Sequence, residues 1–66
     1  MKFRVHLREG RSGEHLPVEV EAHCEPEAIA AAMIQYEYCD YISMEIWSPE
    51  GGCYLPVVVS SGRFEN

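Results

Sequence analysis

The chain has 66 residues, of which 47% are hydrophobic, and this composition suits one small globular domain rather than a disordered polypeptide. Eleven acidic and five basic residues give a net charge of −6, which disfavours general affinity for nucleic acids or anionic membranes and favours a basic partner surface. No stretch approaches membrane-spanning length, and the segment MKFRVHLREG lacks the apolar run of a signal peptide, so we expect a cytoplasmic protein.

Three cysteines, Cys24, Cys39 and Cys53, are widely spaced along the chain. An odd number at these spacings does not indicate a disulfide framework and fits a reducing compartment better. A core formed by so few residues is marginal on its own, so docking onto a partner or a second copy is a reasonable expectation.

The first segments in chain order predict a β-hairpin. Residues 2–8 and 15–22 each alternate apolar and polar side chains, and the intervening EGRSGE has the glycines of a loop. One register satisfies both faces, because it pairs apolar with apolar residues and basic with acidic residues. The predicted pairs are Leu7–Leu16, Val5–Val18, Phe3–Val20, Arg4–Glu19 and Lys2–Glu21.

The next segment, EPEAIAAAMIQYEY at residues 25–38, is predicted to be a helix. Pro26 suits the first helical turn, Glu25 and Glu27 complement the positive end of the helix dipole, and the alanine run has high helix propensity. The apolar stripe expected to face the core consists of Ile29, Ala32, Met33 and Tyr36.

The last segments predict a second hairpin, with strands at 41–47 and 54–59 joined by the turn SPEGG. The expected pairs are Ile46–Leu55, Met44–Val57 and Ile42–Val59 on the core side, with Trp47–Tyr54 and Ser43–Val58 on the other side. Residues 1–60 then form the single domain, and residues 61–66 are expected to be a flexible tail.

These elements predict an α+β fold of order ββαββ, in which one helix covers one face of a four-stranded sheet. If the third strand lies beside the first, the sheet is wholly antiparallel and has the order 2-1-3-4. Pro17 and Pro56 then fall in the two edge strands with their rings facing solvent, where the missing backbone donor is tolerated. A bulge or a strand start at either proline is the alternative explanation.

The sheet face opposite the helix is expected to combine a lattice of charges with an aromatic patch. Trp and Tyr are enriched among the residues that dominate protein interfaces, and an exposed cluster of them is typical of a contact site. The alternative is that the tail folds back over the patch through Phe64. The predicted partner-binding residues are Tyr41, Trp47, Tyr54, Val58, Glu45 and Glu50.

A second candidate contact lies on the back of the helix, where Ala31, Ile34 and Tyr38 are less polar than a fully solvated surface would be. Together with Glu27, Ile34 and Tyr38 could form a dimer seam or a second partner contact. Exposed single apolar residues are also common, so simple exposure is the alternative.

The sequence carries no recognisable catalytic constellation. There is no glycine-rich phosphate loop, nucleophile elbow or pair of carboxylates with an evident cleft. His23 and Cys24, with Cys39 and Cys53, lack the spacing of a zinc site, so neither a metal nor a cofactor is expected. We therefore expect a protein that is not an enzyme.

The stretches VEVEAHCEPEAIAAAMIQ and YISMEIWSPEGGCYLPVVV form a strand–helix–hairpin pattern that covers about two-thirds of the chain. This pattern, with the short length and acidic balance, resembles small anti-CRISPR proteins of phages and mobile elements, including inhibitors of type I systems. The resemblance implies a stoichiometric inhibitor that binds a Cas subunit or surveillance complex and blocks DNA access or nuclease recruitment. It transfers no individual functional residue.

Three functional hypotheses follow. The first is a non-catalytic protein-binding module, of the inhibitor type that the resemblance implies. The second is a self-associating structural or interaction protein. The third, less favoured because of the net charge of −6, is a binder of single-stranded nucleic acid that uses the open sheet face.

Overall fold

The computed structural model describes residues 1–57 of the chain. They form β1 (Lys2–Glu9), β2 (His15–Glu21), α1 (Glu25–Gln35), β3 (Cys39–Ser48) and β4 (Cys53–Val57). The predicted α+β class is confirmed, as is the antiparallel sheet order β2-β1-β3-β4. The expected tail at 61–66 and the pairings of Val58 and Val59 lie outside the described residues. Within residues 1–57, no helix combines the length and the apolar character needed to cross a membrane.

The first hairpin has the predicted register throughout. Phe3 pairs with Val20, Val5 with Val18 and Leu7 with Leu16, while Arg4 lies opposite Glu19 and Lys2 opposite Glu21. A shift of one residue would expose the apolar set, so burial of that face and the charge pairs specify the same alignment. Gly13 adopts φ +75° in the connecting loop, a backbone conformation that is strained for residues other than glycine.

The core lies between this sheet and α1. Its largest fully buried side chains are Phe3, Leu7, Met44 and Val5, and α1 contributes Ala28 and Ala32, both fully buried. Alanine has the smallest side chain that still favours a helix, so the backbone of α1 approaches the sheet closely. The sequence prediction included Ala32 and missed Ala28. Ile29 and Met33 pack against the core as predicted, and so does Ala31, which was wrongly assigned to the outer side.

The helix is shorter than predicted, since it ends at Gln35 rather than at residue 38. Tyr36 has φ −132° and ψ 78°, outside the helical region, so its ring leaves the core stripe and is 39% exposed. The tight turn that follows, in which the Cys39 amide donates to the Tyr36 carbonyl at 3.2 Å, brings the chain into β3 beside Glu9.

A β-bulge alters the first part of β3. His6 pairs with Ser43, but Leu7 pairs with Tyr41, so Ile42 is the extra residue on β3. The prediction that Ile42 faces the core is therefore wrong, and Ile42 is 43% exposed. Tyr41 takes its place on the helix side and packs against the core cluster.

The second hairpin keeps the predicted pairs Met44–Val57, Ile46–Leu55 and Trp47–Tyr54. Leu55 nevertheless remains 47% exposed, because α1 packs mainly against β1, β2 and β3. Over residues 1–57, the two edge strands are β2 and β4, so Pro17 and Pro56 both lie in edge strands, as predicted. Their main-chain partners, His6 and Glu45, place both proline rings on the face away from the helix.

The close approach of α1 to the sheet predicts different effects of substitution at its buried and its exposed alanines. Ala32→Leu should destabilise the domain by about 1–3 kcal/mol, because the added atoms have no room against the sheet. Ala30→Leu, at an exposed position of the same helix, should change the free energy of unfolding by less than about 0.5 kcal/mol. Urea denaturation followed by circular dichroism measures both, and equal midpoints for the two variants would contradict the close packing.

Candidate interaction surfaces

The sheet face opposite α1, called the open face below, presents charged and aromatic side chains in rows across the strands. Cross-strand pairing aligns Glu19, Arg4, Glu45 and Pro56 in one row. The adjacent rows align Pro17, His6 and Ser43 on one side, and place Lys2 beside Glu21 and Trp47 beside Tyr54 on the other. Every strand therefore contributes to this face.

Arg4 is the centre of the charge lattice, which it forms with Glu19 and Glu45. Its guanidinium lies 3.7 Å from a Glu19 oxygen and 3.6 Å from Glu45 Oε1, and its Cζ lies 4.0 Å from the centroid of the Tyr54 ring. A planar guanidinium can stack on a ring while its edges face carboxylates, which a lysine ammonium cannot do. Arg4 thus links all four strands of the sheet.

Trp47 and Tyr54 form the aromatic part of the open face. Their rings meet edge to face, with centroids 5.2 Å apart and planes at 68°, the arrangement that aromatic quadrupoles favour. The Lys2 ammonium lies 5.4 Å from the Trp47 ring. Both rings are half-buried under these basic side chains rather than fully exposed, and the enclosed Tyr54 hydroxyl has no hydrogen-bond partner among residues 1–57.

Three titratable side chains form a hydrogen-bonded chain on the same face. His6 Nε2 lies 2.9 Å from Glu45 Oε1, and His6 Nδ1 lies 2.7 Å from His15 Nε2. The ring centroids of the two histidines are 4.9 Å apart at an interplanar angle of 17°. A nitrogen–nitrogen distance of 2.7 Å is below the roughly 3.5 Å of non-bonded contacts, so the rings meet through their edges, not their faces.

The carboxylate sets the direction of this chain. Glu45 Oε1 accepts a hydrogen bond from the Nε2–H of His6, so His6 Nδ1 is left as the acceptor for the Nε2–H of His15 when both rings are neutral. Among residues 1–57, neither imidazole is hydrogen-bonded to a hydroxyl or a thiol. The arrangement therefore ties β2, β1 and β3 together and does not present an activated nucleophile.

The six predicted partner-binding residues do not all belong to the open face. Trp47, Tyr54 and Glu45 do, and Glu50 is exposed in the β3–β4 turn beside them. Tyr41 was wrongly placed there: the bulge turns it to the helix side, where burial, and secondarily Glu25, raise the pKa of its phenol. Val58 lies outside the described residues.

A second surface lies at the other end of the sheet, where α1 ends. It is a groove of about 310 Å³, called the helix-end groove below, near the lower limit of typical ligand pockets. Residues from β1, β2, the end of α1 and the start of β3 line it: Glu9, Leu16, Gln35, Tyr36, Glu37, Tyr38 and Cys39. Sequence reasoning missed most of this groove, because it depends on where the helix stops.

The candidate residues on the helix back divide between the two ends of α1. Tyr38 is 71% exposed in the helix-end groove, and Ile34 is 77% exposed in the last helical turn. Glu27 lies in the first turn, where its carboxylate accepts the His23 backbone amide at 3.2 Å and lies 3.3 Å from His23 Nδ1. Glu27 and Ile34 are seven residues apart in α1, so they lie on the same side of the helix about two turns from each other.

Two titratable groups in the helix-end groove have shifted pKa values. The Ser12 backbone amide, followed by the Ser12 side chain and Arg11, lowers the pKa of Glu9, whose Oε1 accepts the Ser12 and Arg11 amides at 2.7 and 2.9 Å. Burial, and then the charges of Glu9 and Asp40, raise the pKa of the Cys39 thiol. Cys39 is therefore held as a protonated thiol, the opposite of what nucleophilic chemistry needs.

The cysteines do not converge on a metal site. No group of three or more His, Cys, Asp or Glu side chains in residues 1–57 is arranged to hold a metal ion. Cys39 begins β3, and Cys53 pairs with Ser48 at the other end of that strand, about 30 Å away at roughly 3.3 Å per residue.

Comparisons with models of known families, with curated proteins and with solved structures find no match. The resemblance to small anti-CRISPR proteins stays a prediction.

The charge lattice makes a prediction at Glu45, which faces both Arg4 and His6. Glu45→Gln should lower the free energy of unfolding by about 1 kcal/mol at neutral pH, since it removes a half-buried charged partner. Glu50→Gln, in the exposed turn, should leave it unchanged. Chemical denaturation measures both, and 0.5 M salt should shrink the difference; identical stabilities at low salt would rule out the lattice.

The cysteines make a second prediction. Cys24 and Cys53 are exposed, whereas Cys39 is only 6% exposed and its thiol pKa is raised by burial. Iodoacetamide at neutral pH should therefore modify Cys24 and Cys53 of the native protein and leave Cys39 unmodified until denaturant is added. Peptide mass spectrometry measures the modification at each cysteine. Rapid modification of Cys39 in the native protein would contradict the burial of its side chain.

Proposed function

We propose that the chain is a non-catalytic protein-binding module that acts as a stoichiometric inhibitor of the anti-CRISPR type. Its contact surface is the open face around Trp47 and Tyr54, and its partner presents a basic surface on a Cas subunit or surveillance complex. The observation that carries this proposal is the rigid aromatic pair on a sheet face that no other described element covers.

The rigidity of the pair supports a binding role. Trp47 and Tyr54 are fixed against each other, against Lys2 and against Arg4, so they lose little side-chain freedom when a partner packs on them. Preorganised aromatic and arginine side chains are the types that dominate interface energies. A flat, preformed surface of this kind fits stoichiometric capture of a partner.

The charge distribution supports a basic partner. The net charge of −6 attracts a positive surface over long range and speeds the encounter. Glu50 is exposed in the turn next to Trp47, where it is available to a partner lysine or arginine. Lys2 and Arg4 lie over the aromatic rings, and Arg4 faces two carboxylates, which disfavours their use on nucleic-acid phosphates.

The second candidate, a self-associating module, is favoured by one observation: Ile34 and Tyr38 are the most exposed large hydrophobic residues among those described. They lie at the end of α1, away from Trp47, so self-association and open-face binding make separate claims. Sedimentation at high concentration distinguishes them, because a monomer excludes the dimer seam.

The direct test measures plasmid interference in cells that carry an active type I CRISPR–Cas system and express this chain. We expect the wild-type chain to restore transformation by a targeted plasmid and to co-elute with the purified surveillance complex. Trp47→Ala combined with Tyr54→Ala should weaken complex binding by about 30-fold or more, as for a hot spot worth 2 kcal/mol. Circular dichroism checks that the variant keeps its fold.

A charge-matched pair of variants controls this test. Glu50→Lys should reduce binding, whereas Glu14→Lys makes the same charge change in the loop at the opposite end of the sheet and should not. Undiminished interference in the presence of the wild-type chain would overturn the inhibitor role. Unchanged complex binding by the double aromatic variant would remove the open face as its contact.

A further inference from the structure

The helix-end groove has the electrostatics of a cation site. An α-helix carries partial negative charge at its C-terminus, where the last carbonyls lack intrahelical donors. The last turn of α1 contains no basic side chain to compensate it. Glu9 and Glu37 add two carboxyl groups to the same wall, and the lowered pKa of Glu9 keeps its group ionised.

The aromatic side chains of the groove suit the same ligand. Tyr36 and Tyr38 line it, and Leu16 forms an apolar part of its wall. The Arg11 guanidinium already lies 5.7 Å from the centroid of the Tyr38 ring, so the chain itself shows that this ring receives a cation. The groove thus combines negative charge, ring faces and an apolar wall.

The loop that carries Arg11 is fixed against Tyr38. The Gly10 amide donates to the Tyr38 carbonyl at 3.0 Å, and a Cβ at Gly10 would lie 2.9 Å from that oxygen. Glycine is therefore required at this position. The Glu9 carboxylate, by accepting the Arg11 and Ser12 amides, holds the other side of the loop. The groove is consequently preformed rather than assembled on binding.

We propose that the helix-end groove is a second binding site, and that it takes an arginine next to an apolar side chain on a segment of a partner protein. The guanidinium stacks on Tyr38 and faces Glu9 and Glu37, and the neighbouring apolar side chain packs on Leu16. Arginine suits the site better than lysine, because its planar, weakly hydrated head stacks on a ring and faces carboxylates at once.

Charge complementarity selects this occupant over a second copy of the chain. Two copies that met through this surface would bring together two helix C-termini and two sets of Glu9 and Glu37, and like charges at an interface oppose association. An arginine-bearing segment neutralises the same groups. The site is independent of the open face, so it can exist whether or not the chain inhibits a CRISPR system.

Nuclear magnetic resonance titration of the full chain tests the site, with the capped dipeptide N-acetyl-Arg-Leu-amide as the probe. We expect saturable shifts of the backbone amides of Gln35, Tyr38 and Cys39. The neutral analogue N-acetyl-citrulline-Leu-amide, which keeps the shape and removes the charge, should bind about fivefold more weakly, the scale of an exposed cation–π contact. N-acetyl-Glu-Leu-amide should not bind.

Three variants separate this site from nonspecific charge attraction. Tyr38→Leu should weaken binding of the dipeptide about threefold, since the variant keeps an apolar surface and loses the aromatic ring. Arg11→Ala should tighten binding of the dipeptide about two- to threefold, because this substitution removes the cation that already lies at the Tyr38 ring. Glu14→Gln, which changes an acidic residue of the same loop that does not line the groove, should have no effect.

Several results would overturn the proposal. They are the absence of saturable shifts at the groove, equal binding of the citrulline analogue, or weaker binding by Arg11→Ala. Shifts confined to residues around Trp47 would assign the dipeptide to the open face instead. Concentration-dependent shifts at Ile34 and Tyr38 without dipeptide would show a second copy as the occupant.

Discussion

A single helix of eleven residues can shield only one side of a four-stranded sheet, and this constraint determines most of the structure. Such a helix is about 16 Å long and about 10 Å wide, whereas four strands at roughly 4.8 Å spacing form a wider surface. The thinnest dimension of the described chain, 17 Å, corresponds to two layers. One sheet face therefore packs against the helix to form the core. The other face is exposed to solvent, so its side chains must be stabilised by contacts with one another.

The two faces of the sheet meet this requirement in different ways. The helix side is closed by Phe3, Val5, Leu7 and Met44 under the small side chains of Ala28 and Ala32. On the open face, side chains pair with one another through ionic and cation–π contacts. Arg4 lies between two glutamates and over a tyrosine ring. The helix packs mainly against β1, β2 and β3, and Leu55 in β4 stays half-exposed even on the core side. The edge prolines Pro17 and Pro56 limit pairing with further strands.

The sequence predicted the register of the first hairpin because apolar alternation and complementary charges both specify it. The register of the second hairpin followed from apolar alternation and its turn, and the strand order followed once the third strand was placed beside the first. The sequence prediction misplaced Tyr41 and Ile42, since a bulge adds one residue without disturbing the local alternation pattern. It also extended the helix to Tyr38, because no glycine or proline marks the stop at Gln35. Tertiary pairing of Cys39 with Glu9 decides that boundary, and the helix-end groove, which depends on it, could not be read from the sequence.

The two surfaces differ in what they offer a partner: the open face is flat, with a rigid aromatic pair, and the helix-end groove is concave and negative. The open face depends on the claim that the helix covers one side of the sheet and leaves Trp47 accessible on the other. Acrylamide quenching of the fluorescence of Trp47, the chain's one tryptophan, tests this claim most directly. We expect efficient quenching in the native protein, within a few-fold of that in the urea-unfolded chain. A blue-shifted emission that resists acrylamide until the protein unfolds would contradict it.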